Sequence, residues 1–364
     1  MKIAIIGGGI NGLFTAWKIA ENDIDVDLFE ADAVLSKTSS ASSKLLHGGI
    51  RYLEQGHINL VRESLIDRDW WLKNAPQYAK KINMCMPVYS NNKRSKLVLY
   101  AGACLYNFLA GKYSLGPTKW HSKQNTINRF PEISYKNLKG SVTFFDAQMN
   151  ESKLGNWVRC NAEKSGVKIH ENHEVNKVKT NAEITIKNKN IKYDYVINTS
   201  GPWASELLRR SKIDSQFNLT MIRGSHLLIN YELSSSYILQ EPIGKRIIFV
   251  MPYLGQTLIG TTEIKQSLNE PVECSIAERE YLINIFNTYF TKTIKIEDIE
   301  SEYSGIRPIV SKKIMSGNYS SASREFEMET IDRLINIYGG KWTSAPSLSS
   351  KVFAEVRRLR GLHD

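Results

Sequence analysis

Cysteine is scarce: Cys85, Cys104, Cys160 and Cys274 are the only four, widely separated and without a C-x-x-C pair. That spacing argues against a disulfide framework, a zinc site or an iron–sulfur cluster, and it suits a reducing compartment. Long apolar runs are missing too. The longest mostly apolar stretch, 97–111, has 15 residues with Asn107 among them, short of the roughly 20 that a bilayer span needs. The opening Met1-Lys2-Ile3-Ala4-Ile5-Ile6 runs at once into glycines, so no secretory signal is expected. Without repeats or low-complexity linkers, nothing marks a division into consecutive domains. Acid is in deficit, with 37 Asp and Glu against 48 Lys and Arg, a net charge of +11. Such a balance favours phosphates, anionic lipid or nucleic acid. The basic residues are spread along the chain with no cluster of interleaved stacking aromatics, so no nucleic-acid partner is expected.

What is present is a globular composition, 42% hydrophobic and 23% charged over 364 residues. The first thirty residues read strand (Ile3 to Ile6), turn, helix (Leu13 to Asn22), strand (Asp25 to Glu30). Gly56 to Trp71 reads as a helix. From Gly140 onward strands dominate: Ser141 to Phe145, Val167 to Ile169, Tyr195 to Asn198, Ser225 to Ile229, Arg246 to Met251, Thr257 to Gly260 and Leu334 to Tyr338. A helix over Ser347 to Arg360 closes the series. The fold class expected is α/β with a separate β-rich layer.

Gly7-Gly8-Gly9-Ile10-Asn11-Gly12 satisfies G-x-G-x-x-G and stands between a strand and a helix, where the motif has a mechanism. Gly7 permits the tight turn, Gly9 the approach of a pyrophosphate, and Gly12 close packing of helix on strand. The helix N-terminus offers free N–H groups and its dipole to the phosphates. Glu30, eighteen residues past Gly12, is placed to bind a ribose hydroxyl. The pattern does not separate FAD from NAD. No second copy follows a strand, so one dinucleotide is expected.

The segment Thr38-Ser39-Ser40-Ala41-Ser42-Ser43-Lys44-Leu45-Leu46-His47-Gly48-Gly49-Ile50-Arg51-Tyr52-Leu53-Glu54 closely resembles the FAD-dependent glycerol-3-phosphate dehydrogenases. The resemblance continues through Leu60 to Leu65, Thr199-Ser200-Gly201-Pro202-Trp203, Arg223-Gly224-Ser225-His226 and Gly260-Thr261-Thr262-Glu263. It closes with Tyr303 to Pro308 and Tyr338-Gly339-Gly340-Lys341-Trp342-Thr343. It implies a glutathione-reductase-type FAD-binding domain (1–75, 141–215 and 300–364) interrupted by a β-rich substrate domain like that of D-amino-acid oxidase (76–140 and 216–299). It implies oxidation of sn-glycerol 3-phosphate to dihydroxyacetone phosphate by hydride transfer to FAD, with electrons passed to a quinone. The rivals are a flavin enzyme acting on another 2-hydroxy acid or an amine, and a non-catalytic flavoprotein.

For the cofactor, the resemblance points to Gly7, Gly9, Asn11, Gly12, Glu30, Ser39, Ser40, Ser42, Ser43, Lys44, His47, Gly48, Gly201, Gly340 and Lys341. For the substrate it points to Arg51, Tyr52, Thr262, Arg307 and Lys341, since a guanidinium matches a phosphate bidentately. His47 and His226 compete as the base for the C2 hydroxyl, with Arg307 beside them, and either histidine has a purely structural reading. His57, His121, His170, His173 and His363 have no such context. The mixed basic and apolar stretch from Lys93 to Lys112 reads either as an interfacial helix against anionic lipid, peripheral on the inner face of the cytoplasmic membrane, or as a buried helix with a basic end. Family members typically continue about a hundred residues further as a helical domain, which puts subunit association and membrane docking in question. Trp342 and Ser344 stand where the family more often has Leu and Thr.

Overall fold

The computed structural model describes residues 1–242, 244, 246–312 and 326–361. His363 and parts of the 300–364 segment lie outside them. Along the chain the main elements are β1 (Lys2–Ile6), α1 (Ile10–Ala20), β2 (Asp25–Phe29), α2 (Ile58–Asn74), β3 (Ala79–Tyr89), α3 (Lys96–Ala110), β4 (Leu138–Met149), α4 (Glu151–Lys164), β5 (Lys168–His170) and β6 (Tyr195–Asn198). There follow β7 (Phe217–Ile229), β8 (Ser236–Gln240), β9 (Ile247–Tyr253), β10 (Gln256–Gly260), α5 (Ile276–Tyr289), β11 (Ile299–Lys312), β12 (Phe326–Ile331), β13 (Leu334–Gly339) and α6 (Ala345–Leu359).

Among the described residues, six strands form one sheet in the order β12-β13-β6-β1-β2-β5. Its β13, β6, β1, β2 and β5 run parallel, with Ile3 opposite both Tyr195 and Val26, and β12 pairs antiparallel at the edge. β1 explains the unbroken apolar run at the start: Ile3, Ala4 and Ile5 are wholly buried because both sheet faces are covered. On one face α1, α4 and α6 pack through Leu13, Ala16, Leu154, Val158, Leu348 and Val352. On the other lie Val178, Ile184, Ala204 and Leu207.

Among the described residues ten strands form the second sheet, in which β7, β10, β9, β8, β3 and β4 are successive neighbours. β11 pairs antiparallel with β7 from Phe217↔Lys312 to Ile229↔Ile299. The large sheet therefore takes in β4 and β11, which straddle the boundaries at 141 and 300 drawn from sequence. α5 covers its far side through Leu282 and Phe286. The result is the expected α/β architecture with a β-rich partner. α3 spans the basic–apolar stretch and splits it: Ala103, Tyr106 and Ala110 are buried, whereas Leu97 and Phe108 are 75% and 78% exposed. No helix among the described residues is long and apolar enough to cross a membrane.

Candidate active site

The loops that follow β1, β2, β6 and β13 meet the large sheet around a cavity of about 1130 Å³, at the carboxyl ends of the parallel strands, where open α/β sheets bind ligands. Gly7 has φ 102°, and a Cβ there would lie 2.6 Å from the Thr199 carbonyl oxygen. At Gly12 a Cβ would stand 1.9 Å from the Gly7 carbonyl oxygen. The turn into α1 closes only with glycine at both. Gly9, the N-cap of α1, carries no side-chain cap, and Ser39 Oγ accepts the Ile10 N–H at 3.0 Å instead. The Glu30 carboxylate accepts the N–H of Gly8 at 2.6 Å and of Asp32 at 3.0 Å. Asn11 has a buried Oδ1 without a partner. Gly7, Gly9, Asn11, Glu30, Gly201 and Gly340 all stand in the cavity wall. A bare backbone turn, a helix N-terminus and an unpaired amide oxygen suit a pyrophosphate-bearing dinucleotide. The volume accommodates such a molecule with a small substrate beside it.

The serine loop divides. Ser39, Ser42 and Ser43 line the cavity, and Ser43 Oγ lies 2.9 Å from His226 Nε2. Ser40 turns back, donating to the carbonyls of Ser36 at 3.0 Å and Lys37 at 2.8 Å. Lys44 is not in the wall. It forms a buried ion pair with Glu151, donates to the Ser40 carbonyl at 2.9 Å and lies 4.3 Å over the Tyr303 ring. Burial pushes the Lys44 ammonium pKa down and that of Glu151 up. Gly12 and Gly48 also stay behind the surface. Gly48 donates its N–H to Tyr106 Oη at 2.7 Å, and that hydroxyl donates to Asp146 at 2.8 Å.

Tyr52, His47, His226, Arg307 and Lys341 share the wall, with Lys341 Nζ 4.1 Å over the Tyr52 ring. Burial, then the charges of Lys341, Arg51 and Arg68, bring the His47 pKa down to about 3, so its imidazole is neutral. His226 is also held neutral, first by burial and then by Arg307 and Lys44. It stacks on Tyr303 at 4.8 Å.

Thr262 does not face the cavity. Its hydroxyl donates to Glu278 at 2.5 Å and accepts the Ser225 N–H at 2.8 Å. Burial works to raise the Glu278 pKa, but hydrogen bonds from Thr262, Ser275 and Ser225 outweigh it and bring it to about 2. The wall residues here are its neighbours Thr261 and Glu263, both quoted in the motif but neither expected as a site residue. Arg246 was missed as well. It donates to the Thr261 carbonyl at 2.9 Å and pairs with Glu263 at 3.7 Å, and Arg51 Nη1 lies 3.7 Å from the same carboxylate. Arg307 donates to the Thr262 carbonyl at 3.2 Å. Thr343, on the far side, accepts the His47 N–H at 3.0 Å. The signal for Glu263 was the quoted Gly260-to-Glu263 motif, whereas nothing local marked Arg246.

The FAD dependent oxidoreductase family matches residues 2–351. A glycerol-3-phosphate dehydrogenase of Pseudomonas tolaasii is 31% identical, covering 97% of this chain and 71% of its own length. D-erythritol 1-phosphate dehydrogenase of Brucella abortus is 30% identical over 98% of this chain and 73% of its own. Among solved structures, the Mycoplasma pneumoniae L-alpha-glycerophosphate oxidase with FAD bound superposes with TM-score 0.78 at 19% identity, covering 99% of this chain and 94% of that one. The Bacillus halodurans glycerol-3-phosphate dehydrogenase complexed with FAD gives 0.77 at 20%, over all of this chain and 66% of that one. From the glycine turn to the Lys341 corner, the chain belongs to the FAD dependent oxidoreductases, within their glycerol-3-phosphate dehydrogenase family.

Proposed function

We propose that the chain oxidises sn-glycerol 3-phosphate to dihydroxyacetone phosphate and passes the electrons to a quinone. The observation that carries this reading is the meeting of Arg307 and Lys341 with a neutral His47 in one cavity wall, with Arg51 3.7 Å from Glu263 of that wall. FAD, when bound, would supply the hydride acceptor. Gly7, Gly9, Asn11 and Glu30 hold its dinucleotide part, with Ser39, Ser42 and Ser43 along it. Arg307 and Arg51 clamp the phosphate, and Tyr52 with Lys341 closes that side. His47 takes the C2 hydroxyl proton. It suits the task better than His226, whose Nε2 lies 2.9 Å from Ser43 Oγ and whose ring is stacked on Tyr303. Burial, then Lys341 and Arg51, depress the His47 pKa, and an arriving dianion offsets the two charges and moves it back up. The parallel sheet serves the dinucleotide and the large sheet the substrate.

The outward face of α3 supports a peripheral position on anionic lipid: Leu97, Val98, Leu105 and Phe108 project beside Lys93 and Lys112. Anaerobic titration of the yellow holoprotein tests the reaction. Glycerol 3-phosphate should bleach the flavin where glycerol and L-2-hydroxyglutarate do not. Bleaching by L-2-hydroxyglutarate alone assigns the site to a hydroxy acid, and bleaching by no substrate to a non-catalytic flavoprotein. Reoxidation by a soluble quinone should outpace peroxide formation in air, and binding to anionic liposomes should weaken with salt.

A further inference from the structure

Glu263 is an acid standing in the cavity wall that also holds Arg307 and Lys341. Its carboxylate lies 3.7 Å from Arg51 Nη1 and 3.7 Å from Arg246 Nε. Elsewhere in the chain arginine–carboxylate pairs close more tightly, at 2.5 Å between Arg279 and Glu302 and 2.6 Å between Arg223 and Glu278. The arginines are positioned by other bonds as well. Arg246 donates to the Thr261 carbonyl and Arg307 to the Thr262 carbonyl, so the backbone corner that bears Glu263 is gripped from both sides. Gly224 leaves space there, since a Cβ on it would meet Arg307 Nη2 at 2.6 Å. Glu263, Arg51 and Arg246 are each about a quarter exposed, so the carboxylate has room to turn outward.

We propose that Glu263 is an internal competitor of the substrate's anionic group: it engages Arg51 and Arg246 when no anion is present, and an arriving phosphate takes both guanidiniums from it. The inference rests on the phosphate-binding reading above. Of the three, Glu263 stands in the cavity wall and Arg51 and Arg246 lie behind it; partly buried guanidiniums carry a desolvation penalty that a tethered carboxylate relieves. The tether lowers the affinity of every incoming anion by a common factor. A dianion with several acceptor oxygens binds a guanidinium cluster strongly enough to tolerate that factor. A monoanionic carboxylate brings no more charge than Glu263 itself and has no tether. Glu263 thereby sets how firmly the site holds phosphorylated compounds and how readily it releases them.

The test uses the FAD-loaded holoenzyme, with inorganic phosphate as the probe, followed by flavin absorbance at low ionic strength. Glu263→Gln keeps the size of the side chain and removes its charge. Inorganic phosphate should then bind tighter by about fivefold, the strength of one partly exposed ion pair, and KM for glycerol 3-phosphate should fall in parallel. Glu263→Asp, which draws the carboxylate back, should lie between. Unchanged or weaker phosphate binding in Glu263→Gln overturns the proposal, and the weaker case makes Glu263 a support for the arginines instead. Failure of the underlying reading looks different: the unaltered holoenzyme then binds no phosphate, and Arg307→Ala makes no difference to it.

Discussion

Replacing Glu151 by Gln should destabilise the protein far more than the loss of one surface charge would. Lys44 and Glu151 are only 6% and 5% exposed. Together they anchor the loop carrying Ser39, Ser42 and Ser43, because Glu151 also accepts the Ser42 N–H and hydroxyl. Removing one partner of a buried ion pair costs about 3–5 kcal/mol, since it strands the other charge. For a chain of 364 residues, the entropy of unfolding per residue makes each kcal/mol worth about 1.3 °C in Tm. The melting point of Glu151→Gln should therefore fall by about 4–7 °C. Burial already lowers the Lys44 pKa, and the variant loses the opposing pull of Glu151. Its folded state then binds fewer protons than its unfolded state, so its stability should climb as pH rises. Lys44→Met combined with Glu151→Leu should recover most of the loss, because an apolar pair strands no charge. Thermal melts of the FAD-loaded protein between pH 6 and 9 are the assay. A Glu151→Gln melt within a degree of the parent, or a double variant as unstable as the single, refutes the reasoning.

Arg307→Ala should lower kcat/KM for glycerol 3-phosphate at least about a hundredfold with the flavin spectrum unchanged, as expected when a partly buried charge-assisted contact of about 3 kcal/mol is lost; Arg307→Lys should restore only part, lacking the two-pronged fork. Asp67 is buried and its pKa is raised to about 7 from an ordinary 3.8, so its folded state favours the protonated form and stability declines as pH rises from about 4 to 7. Asp67→Asn removes that decline and should be more stable above pH 7 by up to about 4 kcal/mol, with no gain at pH 4; parallel denaturation curves at the two pH values would count against it. Tyr106→Phe removes the hydroxyl between Gly48 and Asp146, and should cut kcat about tenfold with little change in KM, the loss of roughly one buried hydrogen bond made to the His47 turn; an altered KM alone would place Tyr106 outside the chemistry.

The opening β1-α1-β2 unit was legible because apolar strand, glycine turn and amphipathic helix follow one another within thirty residues. β3 was not. Its Lys80, Lys81 and Pro87 break the apolar run, and only pairing with β4 from Ala79↔Met149 to Tyr89↔Leu138 makes it a strand. β11 hides for another reason: Glu300, Ser301, Glu302 and Ser304 keep its first half polar, and that half is held by its ladder with β7. α4 did leave a trace, the Asn150 cap followed by Leu154, Val158 and Ala162. Of the cavity wall, Gly7, Gly9, Glu30 and His47 could be picked out from sequence because the motifs that carry them are local. Thr262 was named where Thr261 faces the cavity, a one-residue ambiguity that period-two alternation leaves open without a known inner face. Its inward partner Glu278 lies sixteen residues on. Lys44 was expected among the cofactor residues, but its charge goes to Glu151, 107 residues away.

The hydrogen bond from His47 to Thr343 spans 296 residues of chain, and β13 enters the parallel sheet beside β6 after almost everything else. During synthesis at about 5–20 residues per second, the His47 turn waits about 15 to 60 s for that partner to leave the ribosome. Until then the apolar edge of β6 and the buried faces of α1 have no β13 or α6 to cover them. The sheet thus stays unfinished until β13 has left the ribosome, and the Lys341 corner closes only after that. Slowing elongation between the codons for β6 and β13 would prolong exposure to chaperones without helping the site form, whereas free FAD supplied once β13 has emerged would reward the chains that close.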